Sequence, residues 1–138
     1  MVDIMLAGPA DLDDIFNFRE PENTTLRSGI EAALNDISKG FYFIARTEGA
    51  VVGFLYVTYE WSDWRAGDMY WIRNITISPA HQGKGIFRSL VESCKTRAKE
   101  NQVAAIRMVI REEDEACKRK IAKSGFEAGV YYIENKTF

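Results

Sequence analysis

Apolar and polar positions change period several times along this chain, and each change marks an element. "VDIMLAG" reads as a short first strand. Pro9 and "ADLDDIFNF" predict a helix start, with acidic residues near the positive end of the helix dipole. "REPENTT" reads as a loop. From Leu26 the apolar residues Leu26, Ile30, Ala33, Leu34 and Ile37 fall at helical spacing, and Gly40 ends the run. "FYFIART" and "AVVGFLYVTYEW" are aromatic and β-branched and are split by "EGA", a hairpin signal. After the polar "SDWRAGD" comes a strand, "MYWIRNITI". Pro79 follows, then a helix from about Gly83 to Glu100, whose stripe is Phe87, Leu90, Val91, Cys94 and Ala98. "AAIRMVI" predicts a strand, "EDEACKRKIAKSG" a helix closed by Gly125, and "VYYIENKTF" a final strand. Antiparallel strands come first and strand–helix–strand units after. The expectation is an α/β (α+β) fold: a mixed, mostly antiparallel sheet with helices on both faces.

Composition narrows the class. The 138 residues suit one domain spanning 1–138, and 46% hydrophobic with 28% charged residues suits a globular protein. A formal net charge of −2 argues against a dedicated nucleic-acid partner. Cys94 and Cys117 both fall in predicted helices and read as reduced thiols. The N-terminal stretch lacks a basic region followed by a long apolar run, and no apolar run approaches a membrane span. Cytoplasmic localisation, with no membrane partner, is the expectation. No metal-binding pattern stands out.

The chemistry concentrates in "ITISPAHQGKGIFRSLVESC", Ile75 to Cys94. Strand, glycine-rich turn, helix is an arrangement that binds phosphate: the first helical N–H groups lack partners, and glycine lets a ligand come close. The same spacing also serves as a plain tight turn. A Walker A loop is excluded, because Gly83-Lys84 is followed by Gly85 and the upstream glycine is missing. A dinucleotide fingerprint is excluded because Arg88 stands where its third glycine belongs.

"ISPAHQGKGIFRSL" resembles motif A of the Gcn5-related N-acetyltransferases, with core [QR]-x-x-G-x-[GA]. Gln82 and Gly85 match, and Phe87 departs from the last small position. The "GFLYVTYEW" and "WIRNITI" strands, the following helix, "AAIRMVI" and "AKSGF" fall in the family's order. "YEWSDWRAGDMYWI" further resembles a bacterial subgroup carrying an E-W-S-D-W-R segment. The resemblance implies acetyl-CoA as cofactor and an amine acceptor: a small molecule, an amino acid or a peptide. It implies that the backbone of Ile75, Thr76 and Ile77 faces the acetyl and pantetheine arm. The amides of Gln82, Gly83, Lys84, Gly85, Ile86, Phe87 and Arg88 would hold the pyrophosphate, with charge from Lys84 and Arg88. Dimers are common in the family, and an exposed final strand could pair across chains into a homodimer.

Acetyl transfer to an amine needs a donor for the developing oxyanion, loss of the ammonium proton, and exit of the thiolate. The resemblance makes the Ile77 N–H the oxyanion donor. Where several members carry a glutamate base, this strand has Arg73 and Asn74, so the candidates pass to Glu60 and Asp63. Glu60 serves as base or as a binder of the substrate's positive charge. Tyr59, Glu60, Trp61, Asp63 and Trp64 suit a cationic acceptor through charge and ring faces. His81, the only histidine, reads mainly as a loop residue. The family's usual tyrosine acid is replaced by Ile121, and Asp114 stands where an asparagine is common. Tyr131, Tyr132 or water would substitute, or the thiolate leaves unassisted. The basic run "CKRKIAK" reads as a solvated face or as a contact to the cofactor's remaining phosphate. A non-catalytic acyl-CoA-binding or regulatory module on the same fold is the rival reading.

Overall fold

The computed structural model describes all of residues 1–138. Five strands form one sheet in chain order: β1 (Asp3–Leu6), β2 (Phe41–Thr47), β3 (Ala50–Ser62), β4 (Gly67–Ile77) and β5 (Ala105–Met108). Neighbours from β1 to β4 run antiparallel and β4–β5 runs parallel. The four helices are α1 (Leu12–Arg19), α2 (Thr24–Asn35), α3 (Ile86–Glu100) and α4 (Glu115–Lys123). The mixed, mostly antiparallel sheet with helices on both faces is the architecture expected.

Side-chain alternation along the strands sends apolar residues to two cores. On one face, Leu55, Val57, Tyr70 and Ile72 pack against Leu90, Val91, Cys94 and Ala98 of α3, with Ile121 of α4 closing the layer. The α3 residues repeat at helical spacing, so one stripe supplies the whole contact. Burial there pushes the Cys94 thiol up to about 12, against a smaller opposing pull from Arg97. That thiol is inert at neutral pH. On the other face, Ile15 and Phe16 of α1 and Ile30 of α2 pack against Tyr42, Ile44 and Phe54. Both cores meet at β3, which pairs along its length with β4. Gly53 on β3 allows the two strands to approach: a Cβ there would stand 2.8 Å from the Ile77 side chain and 2.9 Å from the Thr76 carbonyl.

Three expectations need correction. The final strand does not form. Residues 127–138 carry no regular structure, and Val130, Tyr131 and Tyr132 stand in solvent. The aromatic and β-branched run "VYYI" pairs with neither free edge of the sheet, so the strand proposed for cross-chain pairing is absent. The third helix starts at Ile86, three residues past the expected Gly83, because Gly83 and Gly85 adopt left-handed backbone (φ 77° and 81°) that no helix continues through. Conversely, α2 starts at Thr24, inside the expected loop, where the Asn23 side chain accepts the Leu26 N–H at 2.9 Å and caps the helix. No helix is long and apolar enough to cross a membrane.

Candidate functional site

β4 is bonded differently in its two halves. Met69–Ile72 pair with β3 on one side and with Ala105–Met108 on the other. Beyond Ile72 the β5 partner stops while β3 continues to Ile77, so a gap opens along one edge of β4. The backbone direction inside that gap follows from one hydrogen bond: the Ser78 N–H donates to the Val52 carbonyl at 2.8 Å. In an antiparallel ladder alternate residues bond to the same neighbour. Thr76 and Asn74 therefore face β3, and Ile75 and Ile77 aim their N–H and C=O groups into the gap. Thr76 spends its backbone on the ladder and offers the gap none, unlike the three-residue contact expected. The Ile75 and Ile77 side chains join the α3-side core, which fixes the backbone's rotation.

The gap leads to the glycine turn. Ser78 and His81 close a single helical turn, Pro79–His81, through an Oγ–Nδ1 hydrogen bond of 2.7 Å, so His81 is occupied as a loop residue. Gln82 donates to the Ile77 carbonyl at 3.4 Å and ties the turn to the strand. A Cβ at Gly83 or Gly85 would meet no protein atom within 4 Å, so both glycines border open space. Gly85 caps α3 without a side-chain acceptor, and the first N–H groups of the helix therefore have no local partner. Ile86 is buried and anchors this turn in the core. Lys84 and Arg88 are exposed and form no ion pair. The Phe87 ring packs against the core, with the Lys120 ammonium of α4 5.2 Å from its centroid, so one member of the basic run does reach the first turn of α3. This cradle fits a pyrophosphate: open space, free N–H donors and a positive helix end.

A bulge builds the face beside the gap. Tyr56 pairs with Asn74 but Val57 pairs with Ile72, leaving Arg73 as the extra residue of β4. Two residues then oppose one, and both point the same way. Arg73 donates from Nε to the Thr58 hydroxyl at 2.8 Å, and its guanidinium lies 4.5 Å over the Trp71 ring. Tyr56 stacks on Tyr42, centroids 4.5 Å apart. Burial pushes the Tyr42 hydroxyl up to about 12, although Arg19, donating to it at 2.7 Å, pulls the other way. Tyr56, Thr58, Trp71, Arg73, Asn74 and Thr76 thus form one face with the gap at its edge. None of them was singled out as a substrate contact from sequence, apart from the backbone of Thr76. The signal that could have found them is an "IRN" that cannot keep strict alternation with apolar Ile72, Ile75 and Ile77 all facing the core.

The expected acidic and aromatic cluster does not converge on the gap. Tyr59 faces the α3-side core, and its hydroxyl donates to the Ile37 carbonyl at 2.6 Å. Trp61, Asp63 and Trp64 sit at the tip of the β3–β4 hairpin, with Trp64 92% exposed. Glu60 pairs with Met69 and lies 3.6 Å from the Arg107 guanidinium, a charge contact longer than a hydrogen bond. From Leu55, the partner of Ile75, to Glu60 is about 16 Å of strand at about 3.3 Å per residue. That distance is too long for direct proton transfer at the gap. Ile121 is buried in the core, and Asp114 caps α4 by accepting the Cys117 N–H at 3.0 Å. Tyr131 and Tyr132 take part in no hydrogen bond or ring contact.

A sheet whose β4–β5 pairing stops beside a strand bulge, with a glycine turn leading into a helix, leaves an open strand edge that runs toward the start of α3. Residues 10–126 match the acetyltransferase (GNAT) family, and the chain belongs to that family. Solved structures agree on the fold. A protein described as "a possible acetyltransferase" from Clostridium difficile 630 is 25% identical, with a TM-score of 0.81, covering 100% of this chain and 98% of its own. Ribosomal-protein-alanine N-acetyltransferase from Brucella melitensis biovar Abortus 2308 is 20% identical, with a TM-score of 0.79 and complete coverage of both chains. An aminoglycoside N-acetyltransferase, AAC(6')-Iy, solved in complex with CoA, is 14% identical, with a TM-score of 0.86 over 99% of this chain and 95% of its own. No curated protein matches the sequence significantly.

Proposed function

We propose that this protein transfers an acetyl group from acetyl-CoA to the amine of a small molecule, amino acid or peptide, by direct attack with both substrates bound. The observation that carries this reading is the continuous path of unpaired N–H groups from Ile75 and Ile77 to the uncapped start of α3. Acetyl-CoA supplies the activated thioester. The Ile75 and Ile77 backbone holds the pantetheine arm in the register of an added strand. The amides from Gly83 to Arg88 hold the pyrophosphate, and Lys84, Arg88 and Lys120 add positive charge around it. The Ile77 N–H donates to the carbonyl oxygen as that oxygen gains charge, the largest single contribution expected from a fixed dipole.

The amine arrives over the face of Tyr56, Arg73 and Asn74. Those side chains include no carboxylate, so the ammonium proton goes to water before attack. Glu60 holds Arg107 rather than acting as base. The thiolate leaves without a side-chain acid, because a thiol of pKa about 8.5 departs tolerably near neutral pH. Calorimetry with acetyl-CoA and CoA tests the cofactor half of this reading, and thiol release across an amine panel, with products weighed by mass spectrometry, tests the transfer. Binding without thiol release for any amine would make the protein an acyl-CoA-binding module instead.

A further inference from the structure

The acceptor face carries a guanidinium that is fixed in place and has no anion to hold. Arg73 forms no ion pair. Its Nε is committed to the Thr58 hydroxyl and its plane is stacked on Trp71, which leaves both terminal nitrogens free and their direction set. A second arginine on the same row, Arg107, lies 5.9 Å from the same ring but is already engaged by Glu60. The bulge places Arg73 about two residues, or roughly 7 Å of strand, from the outward-facing Ile75. Such a pre-oriented fork matches a carboxylate with two parallel hydrogen bonds.

Resting on the transferase reading above, we infer that the acceptor amine also carries a carboxylate, and that Arg73 binds it. The acceptor is therefore an amino acid or a peptide presenting a free acid near its reactive amine. It is not a polyamine or another polycation, which Arg73 would repel. Thr58 is a positioning residue: it aims Arg73 and touches no substrate. Ordering the rotamer-rich Arg73 side chain before the ligand arrives removes an entropic cost that binding would otherwise carry.

The experiment compares amino acids with their decarboxylated counterparts: lysine with cadaverine, arginine with agmatine, tyrosine with tyramine. Thiol release from acetyl-CoA gives kcat/KM for each. In the wild type the acid-bearing member of a pair is preferred by about tenfold or more, the fold-change equivalent of one charge-assisted pair. Arg73→Gln removes that preference by raising KM for the acid only, with CoA affinity unchanged. Thr58→Val, which keeps the side-chain shape but frees the guanidinium, lowers the preference partway. Calorimetric binding of Nα-acetyl-lysine against N-acetylcadaverine, with CoA present, reads the same site without turnover. Equal use of both members, preference for the decarboxylated one, a preference that survives Arg73→Gln, or no binding of Nα-acetyl-lysine while CoA binds would each overturn the inference and leave the cofactor site standing. Failure of CoA itself to bind would overturn the transferase reading instead.

Discussion

The two halves of β4 teach different lessons from similar residues. Met69–Ile72 is paired on both sides, with β3 and with β5. Asn74–Ile77 is bonded on one side, and its second side faces open space. Both halves send isoleucine into the same core, and both read as ordinary strand. The difference arises from the neighbour: β5 stops at Met108, and the bulge at Arg73 resets the alternation between the halves. A strand paired on both sides becomes an open edge where its partner ends.

Proline is the sharpest way to separate the halves, because it removes one N–H. Ile72→Pro loses a ladder bond in the middle of a sheet and should yield no cooperative thermal transition. Ile77→Pro loses an N–H that bonds to nothing in the sheet. It should fold, bind CoA, and turn over about a hundredfold more slowly, the cost of an oxyanion donor. If circular dichroism shows both variants unfolded, the backbone of Ile77 does not face the gap.

Glycine variants extend the contrast beyond the strand. Gly85 and Gly49 share a left-handed φ of 81°, and a Cβ on either meets only open space. Valine at each should cost a similar 1–2 kcal/mol, roughly, of backbone strain. Only Gly85→Val should also lose the stabilisation by acetyl-CoA, about 2.7 kcal/mol at a hundred times its dissociation constant. Equal ligand-induced shifts in melting temperature for the two variants would show that the turn does not hold the cofactor.

Smaller effects are expected further from the gap. Glu60→Gln should change turnover by less than about threefold, where loss of a general base costs about a hundredfold or more. A drop of that larger size, with CoA affinity intact, would return Glu60 to the reaction. Tyr131→Phe and Tyr132→Phe, in the exposed tail, should leave the rate and its alkaline limb unchanged. A fall near pH 10 that vanishes in either variant would identify a tyrosine acid.

Much of this molecule was legible in local chemistry. Helical spacing found α3 and its stripe, aromatic and β-branched runs split by "EGA" found the β2–β3 hairpin, and the glycine turn pointed to a phosphate cradle, because each signal depends on residues close in the chain. The proposed acceptor face was not legible in the same way. Glu60, Trp61 and Trp64 carry suggestive chemistry, yet strand geometry carries them away from the gap at about 3.3 Å per residue. Arg73 looked like an ordinary strand residue, but it is the extra residue of the β3–β4 bulge and shares a face with Thr58 and Trp71. The tail "VYYIENKTF" has a strand's aromatic and β-branched composition, yet it pairs with no edge of the sheet. Sequence by itself determined most of the helices and strands, the α3 stripe and the glycine turn, since period and backbone preference are local properties. Tertiary structure alone decided which edge of β4 stays open and which side chains meet there, since pairing and register depend on where distant strands end.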